Sequence, residues 1–73
     1  MNEYVALVRT WDDELLARDA DQERKTIDTA RTGRRAAENC CKHGDAREWR
    51  LIEAAAVERL AVIEAEIEER ARI

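Results

Sequence analysis

With 73 residues, 41% of them charged and 4% aromatic, and a net charge of −4, the chain has the size of one small domain with a thin core. A chain this short buries only about 60% of the surface its unfolded form exposes, and a mix rich in Ala, Arg, Glu and Leu favours long exposed helices over β or α/β folds. No apolar stretch approaches the roughly 20 residues of a membrane-spanning helix, and the charges of Glu3, Arg9, Asp12, Asp13, Glu14, Arg18 and Asp19 leave no room for the apolar region of a signal peptide, so a cytoplasmic protein without membrane contact is expected.

The first arm opens strongly. Tyr4, Leu7, Val8, Trp11 and Leu15 recur at steps of three and four with Val5 and Leu16 beside them, so residues 3–17 read as an amphipathic helix with a wide apolar face. From Asp19 to Cys41 the apolar side thins to Ala20, Ile27, Ala30, Ala37 and Cys41. Such small residues let helices approach closely but bury little area, at about 25 cal/mol per Å². Gly33 costs about 1 kcal/mol relative to alanine in a helix interior, and with Thr32 before it marks a place for a kink.

The chain has no proline and one further glycine, Gly44, which is the natural site for a turn. Asp45 beyond it is the expected N-cap of the last helix, with Glu48 reaching back three residues later. Trp49, Ile52, Ala56, Leu60, Ile63, Ile67 and Ala71 then form one stripe expected to be buried, and Leu51, Ala55, Val62 and Ile73 a second, weaker face.

These elements predict an all-α fold: an antiparallel hairpin with a long helix over about 3–42, a turn at 43–44 and a helix over about 45–72, dimerising into a helical bundle. A forty-residue first helix would be about 60 Å long against about 42 Å for the second. Residues 3–14 would then overhang, leaving Tyr4, Leu7, Val8, Trp11 and Leu15 as the expected partner-binding face. The alternative is a three-helix bundle with a break near 18–21, where Asp19 would cap a new helix with Gln22 at its third position, and Trp11 folds back onto the Ile63 and Ile67 end. No Gly or Pro supports that break, which favours the hairpin.

Charge falls in blocks: net −5 over 1–23, +4 over 24–43 and −3 over 44–73. Arg24, Lys25, Arg31, Arg34, Arg35 and Lys42 are expected to face Glu58, Glu64, Glu66 and their neighbours in the folded hairpin. As a phosphate-binding strip they would make a nucleic-acid-binding regulator of the segment 24–42, but such proteins usually carry a basic net charge and a recognisable motif. The only concentration of reactive groups is Cys40-Cys41-Lys42-His43. Consecutive helical residues diverge by about 100°, so Cys40 and Cys41 do not easily share a metal, and two adjacent cysteines are no secreted disulfide framework. A thiol- or metal-responsive sensor built on Cys40, Cys41 and His43 is the second reading. The chain has no serine, no third group to hold His43 against a cysteine and no Gly-rich phosphate loop, so neither an enzyme nor a cofactor site is expected.

The sequence therefore points to a non-enzymatic helical module for protein–protein interaction, a homodimer that presents helix faces to a protein partner, in the manner of small accessory, adaptor or inhibitor proteins. Arginine outnumbers lysine eleven to two, which is compatible with a GC-rich bacterial or phage source.

Overall fold

In the computed structural model, which describes residues 2–72, the chain forms three helices: α1 over Asn2–Arg9, α2 over Asp13–Asn39 and α3 over His43–Ala71. No strand occurs among the described residues. The helical class agrees with the sequence reading, but the long helix over 3–42 is interrupted, and the interruption lies at residues 10–12 rather than 18–21.

The break has a local cause. Asp12 adopts an extended conformation at the N-cap of α2 and its carboxylate accepts the Leu15 amide at 2.8 Å, satisfying a donor that has no intrahelical partner. On the other side, the Thr10 hydroxyl donates to the Leu7 carbonyl at 2.6 Å and closes off α1. Trp11 and Leu16 occupy the positions of a hydrophobic staple around that cap, and both belong to one apolar cluster. Asp19, the expected cap, lies inside α2.

The break turns α1 back along the bundle. Val8 joins Leu16, Ala20 and Ile63 in a fully buried cluster, with Tyr4, Trp11, Leu60 and Val62 packed around it. Tyr4 stands edge-on to Trp11 at 6.0 Å between ring centroids, a favoured aromatic geometry. Helix α1 lies mainly against α3 and runs parallel to it: Val8 meets Ile63, and further along Arg9 reaches Glu66 and Arg70. There is thus no overhang. Three helices pack at the end holding Ile63, and two at the end holding Trp49.

Between α2 and α3 the seam is made of small side chains. Ala20, Ile27, Ala30 and Ala37 of α2 and Ala46, Ala56 and Ile63 of α3 are buried. The expected stripe on α3 is only partly covered: Trp49 and Leu60 are half-buried, while Ile52, Ile67 and Ala71 stay exposed. For Ile52 the reason is that α1 is only eight residues long, so over its first half α3 has a single neighbour; Ile67 and Ala71 lie at the three-helix end, where they line a concavity with Asp13, Leu16 and Ala17. On the second face Leu51 is 67% exposed, and Ile73 lies outside the described residues. The molecule is consequently a rod of 49 × 20 × 16 Å with a radius of gyration of 14.7 Å, against about 11 Å for a compact domain of this length.

The turn is displaced from its expected place. It occupies Cys40, Cys41 and Lys42, and Cys41 carries a φ of 58°, the left-handed conformation that glycine usually supplies. The Lys42 amide donates to the Ala37 carbonyl at 2.8 Å and the Cys41 amide to the Glu38 carbonyl at 3.1 Å, which is the bonding pattern of a Schellman motif. Gly44 does not turn the chain. It sits in the first turn of α3 without a positive φ, Lys42 takes the cap position with no side-chain cap bond, and Asp45 lies within the first turn instead of preceding it. Cys41, expected on the buried side, is exposed.

Gly33 does not kink α2 to a stop; the helix runs through it. Its function is space. A Cβ built there would lie 2.7 Å from Cδ2 and Cζ2 of Trp49, so the indole seats on a surface only glycine provides.

Two stability predictions follow from the turn and the seat. Cys41→Gly should raise the urea unfolding free energy by about 1 kcal/mol through relief of the left-handed side-chain clash, and Gly44→Ala by about 0.5 kcal/mol because its backbone is helical and unobstructed. A turn centred on Gly44 would give loss in both cases. Gly33→Ala should cost about 1 to 3 kcal/mol by overpacking despite the better helix propensity of alanine. In a Trp49→Ala background the same change should become stabilising, and a double-mutant cycle reads the difference directly.

Candidate functional site

The five residues expected to form a partner-binding face are split by the fold. Val8 is wholly buried, Tyr4, Trp11 and Leu15 are partly covered, and Leu7 is 51% exposed. The first arm supplies its own cover by folding back, so the premise of an unmatched overhang does not hold. Burial raises the Tyr4 hydroxyl pKa, and the nearby carboxylates of Glu23 and Asp19 raise it further against the opposing charge of Arg59. Tyr4 is therefore a neutral packing group with a polar tip.

Charge pairing between the arms follows the expected complementarity with different partners. Arg24 binds Glu64 at 3.3 Å, and Arg31 and Arg34 converge on Glu53 at 2.7 and 3.3 Å. Arg59 of α3 returns the arrangement by binding Glu23 at 3.0 Å. Glu66 pairs with Arg70 at 2.9 Å and with Arg9 at 4.0 Å, while Glu58 has no ion pair among the described residues. Arg70 also holds Asp13 at 2.8 Å and the Arg9 carbonyl at 3.2 Å, so one guanidinium ties the last turns of α3 to the α1–α2 corner. Its pKa is raised by those hydrogen bonds, Asp13 first and Glu66 second. The Arg31 hydrogen bond holds the Glu53 carboxyl below its usual range, with Arg34 adding to the effect.

Three of the six cations in the segment 24–42 are thus engaged with α3 carboxylates. Lys25, Arg35 and Lys42 make no ion pair among the described residues; Arg35, four residues after Arg31, is near enough to Glu53 for its charge to help lower that carboxyl's pKa. Cys40, Cys41 and His43 are all exposed at the tip of the hairpin. Among the described residues no group of three or more His, Cys, Asp or Glu side chains is arranged to hold a metal ion.

A concavity of about 750 Å³ is the groove where α1 meets α3, lined by Val5, Val8, Ala61, Val62 and Ala65 together with Arg9, Glu66 and Glu69. Both lining carboxylates are ion-paired, Glu66 with Arg70 and Arg9 and Glu69 with Arg72. Large apolar side chains are also exposed on Leu7 of α1, on Ile67, and on the first half of α3, where Leu51, Ile52 and Val57 are 67%, 42% and 44% exposed. Sequence reasoning placed Ile52 in the core and Leu51 on a minor face; the signal that would have separated them is the shortness of α1, which hangs on the Asp12 cap.

No family model matches the chain, and no curated protein or solved structure matches it. Among the described residues no helix is long and apolar enough to cross a membrane.

The Glu53 cluster generates a pH signature. Because the folded carboxyl titrates below its ordinary value, near pH 4.3, the folded state holds fewer protons than the unfolded one in that interval, and stability rises with pH there. The contribution is complete above the unfolded value and is lost as pH falls through the lowered folded one. Glu53→Gln should be less stable than wild type at pH 7, and urea titrations should show the gap closing as pH drops below 4. A gap independent of pH would mean that the Arg31 contact contributes nothing electrostatic.

Proposed function

We propose that the protein is a non-enzymatic helical interaction module that self-associates and meets protein partners through exposed helix faces. The observation that carries this reading is that three large apolar side chains on the first half of α3, Leu51, Ile52 and Val57, are left uncovered on different sides of the helix. These lie on the two-helix end of a rod whose buried core is mostly alanine. Large apolar side chains left uncovered on the exposed sides of a rigid helix offer helix-packing surface.

Other features favour a protein partner over the competing classes. Arg24, Arg31 and Arg34 are neutralised within the chain, which lowers the charge available to phosphates. The groove beside α1 is lined mostly by aliphatic side chains, with Arg9, Glu66 and Glu69. A role for Tyr4 and Leu7 in the contact belongs to the same proposal, with Val8 acting from inside the core to hold α1 in place.

Sedimentation equilibrium tests it. Wild type should associate reversibly with rising concentration, and Leu51→Lys should shift the equilibrium to monomer by at least tenfold in dissociation constant while circular dichroism stays unchanged, since Leu51 is exposed. Identical monomers for both proteins up to high micromolar concentration would sink self-association.

A further inference from the structure

Of the charged residues on α3, most are tied into the monomer. Arg50 reaches Glu38, Glu53 holds two arginines of α2, Arg59 and Glu64 cross to α2, and the charges from Glu66 to Arg72 pair among themselves or with the first arm. Asp45, Arg47, Glu48 and Glu58 have no ion pair among the described residues; of these, Arg47 and Glu58 are an exposed pair of opposite charge. They are eleven residues apart, three turns and about 16 Å of helix. At 100° per residue they fall on one side of α3, with Leu51, Ala54 and Ala55 between them at steps of three and four. Ala56 and Ile63, which face α2, lie on the opposite side.

This strip is self-complementary under one operation only. Laying a second α3 antiparallel across it, with the two-fold axis between Ile52 and Glu53, sets Arg47 against Glu58 of the other copy and Glu58 against its Arg47. Leu51 then meets Ala54 and Arg50 meets Ala55, with no like charges opposed. A parallel, in-register arrangement would set Arg47 on Arg47 and Glu58 on Glu58, a repulsive pairing. Ala54 and Ala55 allow close approach of the helix axes, and Leu51, 67% exposed in the single chain, is covered at the centre. Both ends of such a contact carry opposite charges, which fixes register as well as direction.

We propose that a second copy of the chain docks antiparallel on the outer face of α3, centred on Leu51 and locked by reciprocal Arg47–Glu58 ion pairs. The inference rests on the self-association reading and adds its geometry. Charge reversal separates the two. In sedimentation equilibrium at low salt, Arg47→Glu and Glu58→Arg should each weaken the dimer about tenfold, because each opposes like charges at both symmetric contacts. The double variant Arg47→Glu, Glu58→Arg should return to within about threefold of wild type, and an equimolar mixture of the two single variants should associate more tightly than either alone. A double variant no tighter than the singles, in a protein whose association Leu51→Lys still abolishes, overturns the antiparallel register and leaves the interaction reading standing. A wild-type protein that stays monomeric overturns both.

Discussion

A single carboxylate decides the shape of this protein. Asp12 accepts the Leu15 amide and stops what would otherwise be a forty-residue helix, so eight residues fold back and bring Val8 into the space beside Ile63. Every other feature of the wider end depends on that reversal: the buried cluster, the edge-on pairing of Tyr4 and Trp11, and the reach of Arg70 across to Asp13 and the Arg9 carbonyl. Capping contributes about 1 kcal/mol in typical proteins, yet here it selects between two topologies. The cap, the staple residues around it and the buried Val8 all favour the same one.

Away from that corner the two long helices are held differently. Their seam is narrow, built from alanines with one isoleucine from each side at the larger contacts. Alanine loses no side-chain entropy on burial and lets the helices approach, but it removes little apolar area from water. Partly exposed ion pairs across the seam add direction more than strength: Arg24, Arg31 and Arg34 against Glu64 and Glu53, with Arg59 against Glu23, fix which residue lies opposite which. An alanine seam alone would tolerate sliding by a turn. The charges remove that freedom. The bundle is thus robust at the Ile63 end and lightly built at the Trp49 end, where its apolar side chains remain at the surface.

Much of this was legible from residue spacing. The all-helical class, the antiparallel pairing of two long arms, the buried Ala20, Ile27, Ala30 and Ala37, and the matching of a basic segment to acidic residues on the last helix are all consequences of periodicity and charge blocks. Two features were not. The break at Thr10–Asp12 falls between good apolar residues without glycine or proline, and the competing Asp19 satisfies the same residue preferences; burying Val8 against Ile63 favours the Asp12 cap, and that is a long-range contact. The turn was misplaced for a related reason. Glycine is the usual left-handed residue, but Cys41 takes that conformation because the carbonyls of Ala37 and Glu38 are capped from Lys42 and Cys41, and Gly44 is left inside a helix. Once α1 turns back, Val8 is buried, and most of the large apolar side chains left uncovered are on α3, with Leu7 on α1.

The three-residue turn also bears on how the chain reaches this shape. Closing so short a loop costs little chain entropy, and the contacts next to it, Glu38 with Arg50 and Gly33 with Trp49, join residues near in sequence. The turn is therefore the cheapest place for structure to begin, and pairing can spread outward from it one helical turn at a time. Helix α1 stands at the far end of that zipper, its partners Ile63 and Arg70 separated from it by more than fifty positions. The corner that decides the topology therefore forms through the contacts most distant along the chain.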